Sequence, residues 1–281
     1  MLDLACLTQG RDPEDAAAFR ETSIALAKTF GITMQAKADK SAVAAPEAKP
    51  KRVPSEPQKP AKASMPEIVN PPLGFELKEL DFTHRYLRDR GFSEATIEHF
   101  GLGLAKKGLM KDRIAIPIQN SDGELVAYAG RIVDDARIGA QCPRYLFPSD
   151  REKDGVRFVF RKSALLYNAH RVKALGRRGV IVVESYSAVW WLHQAGFPNV
   201  VAVMGSSMAE AQAALLIEAL NPSFVVILAD GDEAGERMAA SALSLLAPHA
   251  WARSLLLESG EQPTDVGAEL LQERLGKLMG R

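Results

Sequence analysis

Three acidic residues carry the first chemical signal. Glu184 closes the apolar run GVIVVE, Asp230 closes SFVVILAD, and Asp232 follows two residues later in DGDEAG. A carboxylate at the end of a buried strand lies where α/β sheets bind ligands, beyond the carboxyl ends of their strands. If the two strands are neighbours, hard oxygen donors meet at one sheet edge. Such a set suits Mg²⁺ or Mn²⁺, which take carboxylates, waters and phosphate oxygens. Gly231 and Gly235 are expected to leave the backbone uncrowded where a phosphate approaches. Taken singly, Asp232 reads as a helix cap and a strand-end acid as a solvated charge. At matching ends of one array they read as a metal site.

Those positions require a parallel sheet, and the chain after Gly179 alternates accordingly. GVIVVE precedes a helical stretch from Tyr186 to Ala195. NVVAVMG precedes a helix from Met208 to Leu220, with Ser207 and Glu210 as its expected capping box. SFVVILAD precedes a helix from Glu233 to Leu246, and WARSLLLE supplies a fourth strand. Short apolar runs alternating with helices mean α/β architecture, a parallel sheet with helices on its faces and a C-terminal helix, over 179–281.

A mixed α+β subdomain is expected over 73–178. Helices are predicted at Leu77–Arg90 and Ser93–Phe100, with Ser93 as an N-cap. The strands RIAIPI and ELVAYAGRIV flank a turn at Asn120-Ser121-Asp122-Gly123, and Asp134 to Arg161 reads as irregular. Residues 36–72 hold eight of the sixteen prolines and few large apolar groups, so they read as a disordered Ala/Lys/Pro tether. Residues 1–35 read as a helical segment, with Phe19, Ile24, Leu26, Ala27 and Phe30 at helical spacing.

Charge separates the two halves of the body. The 281 residues balance 35 basic against 35 acidic side chains. Lys106 to Arg178 nevertheless carries a net +8, and Gly179 to Arg281 a net −7. A basic surface beside an acidic cluster fits a polyanion next to a cation site. No apolar run approaches the ~20 residues of a membrane span. The N-terminus lacks the pattern of a signal peptide, so the expectation is a cytoplasmic chain with no membrane partner. Two cysteines, Cys6 and Cys142, exclude a disulfide scaffold or zinc ribbon as organiser, and no zinc is expected.

With these residues in place, 179–265 resembles a Toprim domain, the catalytic module of bacterial-type primases, topoisomerases and some nucleases. Its marks are a glutamate after the first strand, matched by Glu184, and an Asp-x-Asp after the third, matched by Asp230 and Asp232. The DGDEAG context is close to that of DnaG-type primases, and Asp265 in EQPTDV falls where they carry a further metal-site acid. Upstream, YLRDRGFSEATIEHFGLG, RIAIPIQNSDGELVAYAGRIV, PRYLFPS and FRKSALLYN follow the order of a primase N-terminal catalytic subdomain. The resemblance implies that Arg113, Arg131, Arg144 and Lys162 line a basic surface guiding template and nucleotide phosphates.

The same resemblance implies a DNA primase-type nucleotidyltransferase. Glu184, Asp230 and Asp232 would be its catalytic and metal residues, Mg²⁺ or Mn²⁺ its cofactor, and single-stranded DNA and nucleoside triphosphates its partners. Primases read Glu-Gly-Tyr-x-Asp after the first strand, where this chain reads Glu184-Ser185-Tyr186-Ser187-Ala188 and lacks the last acid. Residues 12–31 resemble the last helix of a primase zinc-binding domain. Neither that domain's cysteines nor a helicase-binding domain has a counterpart here, which points to a replicative helicase or a separate zinc-domain protein as possible partners. A non-catalytic, Toprim-derived single-stranded DNA-binding accessory protein of a mobile element is the alternative, with a Toprim nuclease third.

Other candidates read as packing. His84, His99, His170, His193 and His249 show no metal-ligand spacing. Trp190 and Trp191 lie in a helix facing the sheet, where at least one is core. Tyr145 and Phe147 pack, with stacking on exposed bases as the functional alternative. No G-x-S-x-G elbow and no G-x-x-x-x-G-K-[ST] loop occurs.

Overall fold

The computed structural model describes residues 65–279. The helical segment expected over 1–35 and the tether up to residue 64 lie outside the described residues. In chain order the first elements are β1 (Glu67–Val69), β2 (Leu80–Asp81), α1 (Arg85–Arg88), α2 (Glu94–Phe100), β3 (Gly103–Ala105), β4 (Arg113–Gln119) and β5 (Leu125–Ile132). They are followed by β6 (Tyr145–Leu146), β7 (Arg151–Lys153), β8 (Val156–Val159) and α3 (Ala169–Ala174). The second half holds β9 (Val180–Val183), α4 (Tyr186–Gln194), β10 (Val200–Ala202), α5 (Glu210–Leu215), β11 (Val225–Ala229), α6 (Glu233–Leu246), β12 (Ala252–Leu256) and α7 (Ala268–Met279).

The second half is the expected parallel sheet, in the order β10-β9-β11-β12. All its ladders are parallel. Its strands are buried on both faces, which is why they read as unbroken apolar runs. Ile181, Val183, Val226 and Leu228 face one core; Val180, Val182, Val225 and Ile227 face another with Met238, Ala242 and Leu246 of α6. Each such side chain removed from water contributes about 1.5–3 kcal/mol, so the sheet edge that carries the acids rests on a rigid base.

The first half is built on a five-stranded antiparallel sheet, β2-β3-β4-β5-β6. β4 and β5 form a hairpin around Asn120–Gly123, where the Asn120 carboxamide oxygen accepts from the Asp122 and Glu124 N–H groups. The predicted helix over Leu77–Arg90 is corrected here. Leu80 and Asp81 pair with Ala105 and Leu104 as a strand, and only Arg85–Arg88 is helical. Ser93 caps α2 as expected, its Oγ accepting from Thr96 N–H at 3.2 Å.

Two irregular assignments also change. Within Asp134–Arg161 three short strands form, and Glu67–Val69, placed at the end of the tether, pairs in parallel with Val156–Val159 of β8. β-branched Ile68 and Val69 supply that strand's propensity. The two halves share one core, in which Phe92, Ile97 and Ile116 meet Val183, Tyr186 and Trp190. Among the described residues no helix is long and apolar enough to cross a membrane.

Candidate active site

The register places the acids together. β9 and β11 are neighbours, with Val182 opposite Ile227, so both chains leave the sheet at the same edge, one bearing Glu184 and the other Asp230. Asp230 is buried, 6% exposed, and its Oδ1 has no hydrogen-bond partner. Its carboxyl is pushed up to about 7, first by burial and then by the charges of Glu184, Asp232 and Asp265. Half-buried Glu184 is also raised, by burial and by Asp232, while Arg237 and Lys162 act in the opposite sense.

Backbone caps fix the two exposed acids. Asp232 is the N-cap of α6, its Oδ1 accepting from Gly235 N–H at 2.8 Å. The structural role and the candidate site role therefore fall on one side chain. Asp265 Oδ2 accepts from Gln262 N–H at 2.9 Å in the turn before α7. Trp191 steadies that turn by donating from Nε1 to the Val266 carbonyl at 2.9 Å.

Asp230 feels the charge of the other three carboxylates, yet among the described residues no three His, Cys, Asp or Glu groups converge closely enough to hold an ion as they stand. The donor set still suits a hard divalent cation. It is all oxygen, it contains a buried oxygen without a partner, and its like charges repel until a cation compensates them.

The glycines serve a different purpose from the one expected. A Cβ on Gly231 would stand 1.7 Å from the Glu258 carbonyl oxygen, and one on Gly235 2.1 Å from the Asp230 carbonyl oxygen. Both residues are needed for backbone-to-backbone packing that seats the Asp230–Asp232 turn, not for open space beside a phosphate.

The basic residues divide. Arg113 is buried; its guanidinium donates to the Gly130 and Pro143 carbonyls at 3.0 and 2.8 Å and to Cys142 Sγ at 3.4 Å. It ties the strands to the loop before β6 and presents no surface to a phosphate, which corrects the expectation that it lines the basic face. Arg131 bonds the Ile132 carbonyl and Asp135, and lies 5.6 and 5.7 Å from the ring centres of Tyr86 and Tyr145. Arg144 is exposed and makes no side-chain bond among the described residues, and its charge is felt by Tyr86 and Tyr145. Lys162 stands at the acidic edge, its Nζ donating to the Met204 carbonyl at 2.7 Å.

Between the halves lies a cleft of about 240 Å³, lined among others by Tyr86, Arg90, Arg131, Tyr145, Trp190 and Asp265. Asp265 joins this cleft to the acids. Arg90, 4.6 Å above the Tyr86 ring, is a cleft residue that the sequence reading missed. It stands in YLRDRG, upstream of the basic segment Lys106–Arg178, though inside the stretch that carries the resemblance. A larger cavity of about 350 Å³, lined by Leu73, Phe75, Leu109 and Phe158 among others, holds none of the carboxylates.

The packing candidates are packed. Trp190 is buried and donates to the Tyr167 hydroxyl at 2.9 Å. Tyr145 and Phe147 stack on each other at 6.5 Å between ring centres. His99 and His193 stack at 4.2 Å where α2 meets α4, a contact that their separation in sequence conceals.

Comparison with known proteins gives the same picture. Residues 178–253 match the family described as the Toprim domain. A DNA primase of Helicobacter pylori is 30% identical over 241 residues, covering 73% of this chain and 41% of that protein. The structure superposes on a DnaG primase catalytic domain bound to single-stranded DNA with a TM-score of 0.58 at 24% identity, covering 70% of this chain and 71% of that one. A DNA primase domain from Pseudomonas aeruginosa gives a TM-score of 0.55 at 25% identity, covering 69% and 70%. The chain spans about a third of the length of the curated primases it matches, 31% of the Rickettsia felis protein for example. Residues 178–253 carry a Toprim domain, and the chain resembles the catalytic core of bacterial DnaG-type DNA primases.

Proposed function

We propose that this chain is a primase-type nucleotidyltransferase core that joins ribonucleotides into short RNA on single-stranded DNA. The observation that carries the reading is the buried, unpartnered Asp230 oxygen, crowded by Glu184 and Asp232 at one sheet edge and opening through Asp265 onto an arginine-lined cleft. Glu184, Asp230 and Asp232 would hold Mg²⁺ or Mn²⁺, with Asp265 at the rim. A divalent ion held there would supply positive charge to offset the negative charge that develops on the phosphates as they react.

The chain's own residues supply the rest. Lys162 and exposed Arg144 place the phosphates of nucleotide and template without reading sequence, while Arg131, buried and bonded internally, lines the cleft wall. The 3′-hydroxyl oxygen bonds the α-phosphorus, and the bond to the pyrophosphate oxygen breaks with its electron pair leaving on pyrophosphate. The hydroxyl proton passes to solvent, or to Glu184 when that residue is free of the ion. Arg113 has no part in this step. The reading implies a soluble, cytoplasmic protein that works beside a replicative helicase or a separate zinc-domain protein.

One observation favours the accessory-protein alternative. Ala188, standing where primases carry an acid, is fully buried in α4, so this turn offers no fourth inward carboxylate. The deciding experiment is labelled-nucleotide incorporation on circular single-stranded DNA with Mg²⁺ or Mn²⁺. Short RNA from the wild type, reduced at least about a hundredfold in Asp230→Asn/Asp232→Asn with DNA affinity retained, is the expected result. Full synthesis by the double variant would remove the metal assignment. DNA binding without product points to the accessory protein, and cleavage without nucleotides to the nuclease.

A further inference from the structure

Lys162 lies in a short turn, Lys162–Ala164, that no regular strand or helix carries to the acidic edge. Its position must be fixed by something else, and the fixture is visible. Gln212 of α5 is 1% exposed, and every polar atom of its side chain is used. Oε1 accepts from Ala209 N–H at 3.0 Å. Nε2 donates to the Leu165 and Val203 carbonyls, both at 2.8 Å, with the Lys162 carbonyl a third, longer neighbour at 3.3 Å.

One amide thus joins the turn bearing Lys162 to the end of β10. The next residue, Met204, has φ +60°, a left-handed conformation costly for a side chain without a local polar anchor. In that conformation its N–H donates to the Glu184 carbonyl at 2.9 Å and its own carbonyl accepts from Lys162 Nζ. Lys162 is consequently held at both ends, its backbone through Gln212 and its ammonium through a residue bonded to Glu184.

From this we infer that Gln212 is the positioning residue that fixes Lys162 beside Glu184, ready to meet a phosphate. Gln212 touches no ligand itself and acts only through the lysine. The phosphate part of the inference rests on the function proposed above; the positioning part does not.

Wild type, Gln212→Met, Lys162→Ala and the double variant separate the two. Calorimetric titration with ATP and Mg²⁺ should show Gln212→Met weakening binding about tenfold, and the double variant no weaker than Lys162→Ala alone. An equal loss from Gln212→Met in both backgrounds would mean general loosening and would overturn the inference. If Gln212→Met does not melt cooperatively, Gln212→Glu takes its place, since its carboxyl still accepts from Ala209 N–H.

Amine acylation read by peptide mass spectrometry gives a result independent of nucleotide. Lys162 should label severalfold faster in the Gln212 variant, with Lys277 unchanged, and an unchanged rate at Lys162 refutes the positioning. Wild type that neither binds ATP nor makes RNA would defeat the proposed function while the labelling result still decides the role of Gln212.

Discussion

The carboxyl edge of the parallel sheet and the basic wall of the antiparallel sheet treat their charges in opposite ways. At the first, Asp230 is buried with a bare oxygen among like charges, and Glu184 is raised by burial and then by Asp232. At the second, Arg113 is spent on three internal acceptors and Arg131 on a carbonyl and Asp135. A charge satisfied inside the protein stabilises the fold and has little left for a ligand. A charge left among its own kind costs stability, and it persists where a ligand compensates it. The net +8 of the basic segment therefore overstates its binding surface, whereas three acids at one edge understate theirs.

Removing Arg113 tests this contrast with the largest effect. Arg113→Ala strands the Gly130 and Pro143 carbonyls and should lower unfolding free energy by about 3 kcal/mol in urea titration. The salt dependence of single-stranded DNA binding should stay unchanged. Retained stability with a weaker salt dependence would make Arg113 a ligand after all.

The opposite sign is expected at the acidic edge. The Asp230 carboxyl releases its proton near pH 4 in the unfolded chain and at about pH 7 in the folded one. Between those values the folded state binds more protons, so this group's contribution to stability falls as pH rises from about 4 to 7 and stays low above. Asp230→Asn removes that penalty. In chelator its melting temperature should rise by roughly 2–4 °C at pH 8, with the gain gone at pH 4. A variant that melts lower at pH 8 would show that the crowded acid is not a destabilising one.

What could be read from the sequence follows the same division. The parallel strands were legible because burial on both faces leaves unbroken runs such as Val180–Val183 and Val225–Ala229. Ser93 and Asp232 announced their helices because N-cap chemistry is local. The stretch Leu77–Arg90 misled because Leu80 and Asp81 answer to a partner strand more than twenty residues away, which local periodicity does not register. β7 is three charged, exposed residues and carries no pattern at all. At the site, an acid at a strand end has few structural alternatives. A buried arginine looks in sequence like an exposed one, so Arg113 and Arg144 were indistinguishable. The contact between β10 and the Lys162 turn runs through Gln212, a polar residue whose partners are all main chain, and no spacing announces it.

Arg144 offers the finest test of the contrast, because it is the basic residue of the expected set whose side chain makes no bond among the described residues. Its guanidinium is exposed beside Tyr86 and Tyr145, so its removal strands no buried acceptor. Arg144→Ala should leave unfolding free energy within about 0.5 kcal/mol of wild type. If it meets a phosphate, each such contact displaces close to one counterion, and the slope of log affinity against log salt should become shallower by about 1. The loss should be similar on DNA of any sequence, since a phosphate contact reads none. Titration of a labelled oligonucleotide at several salt concentrations measures both quantities. An unchanged slope would place the template elsewhere than the Arg144 side of the cleft, leaving Arg90 and Lys162 as the cations to substitute next.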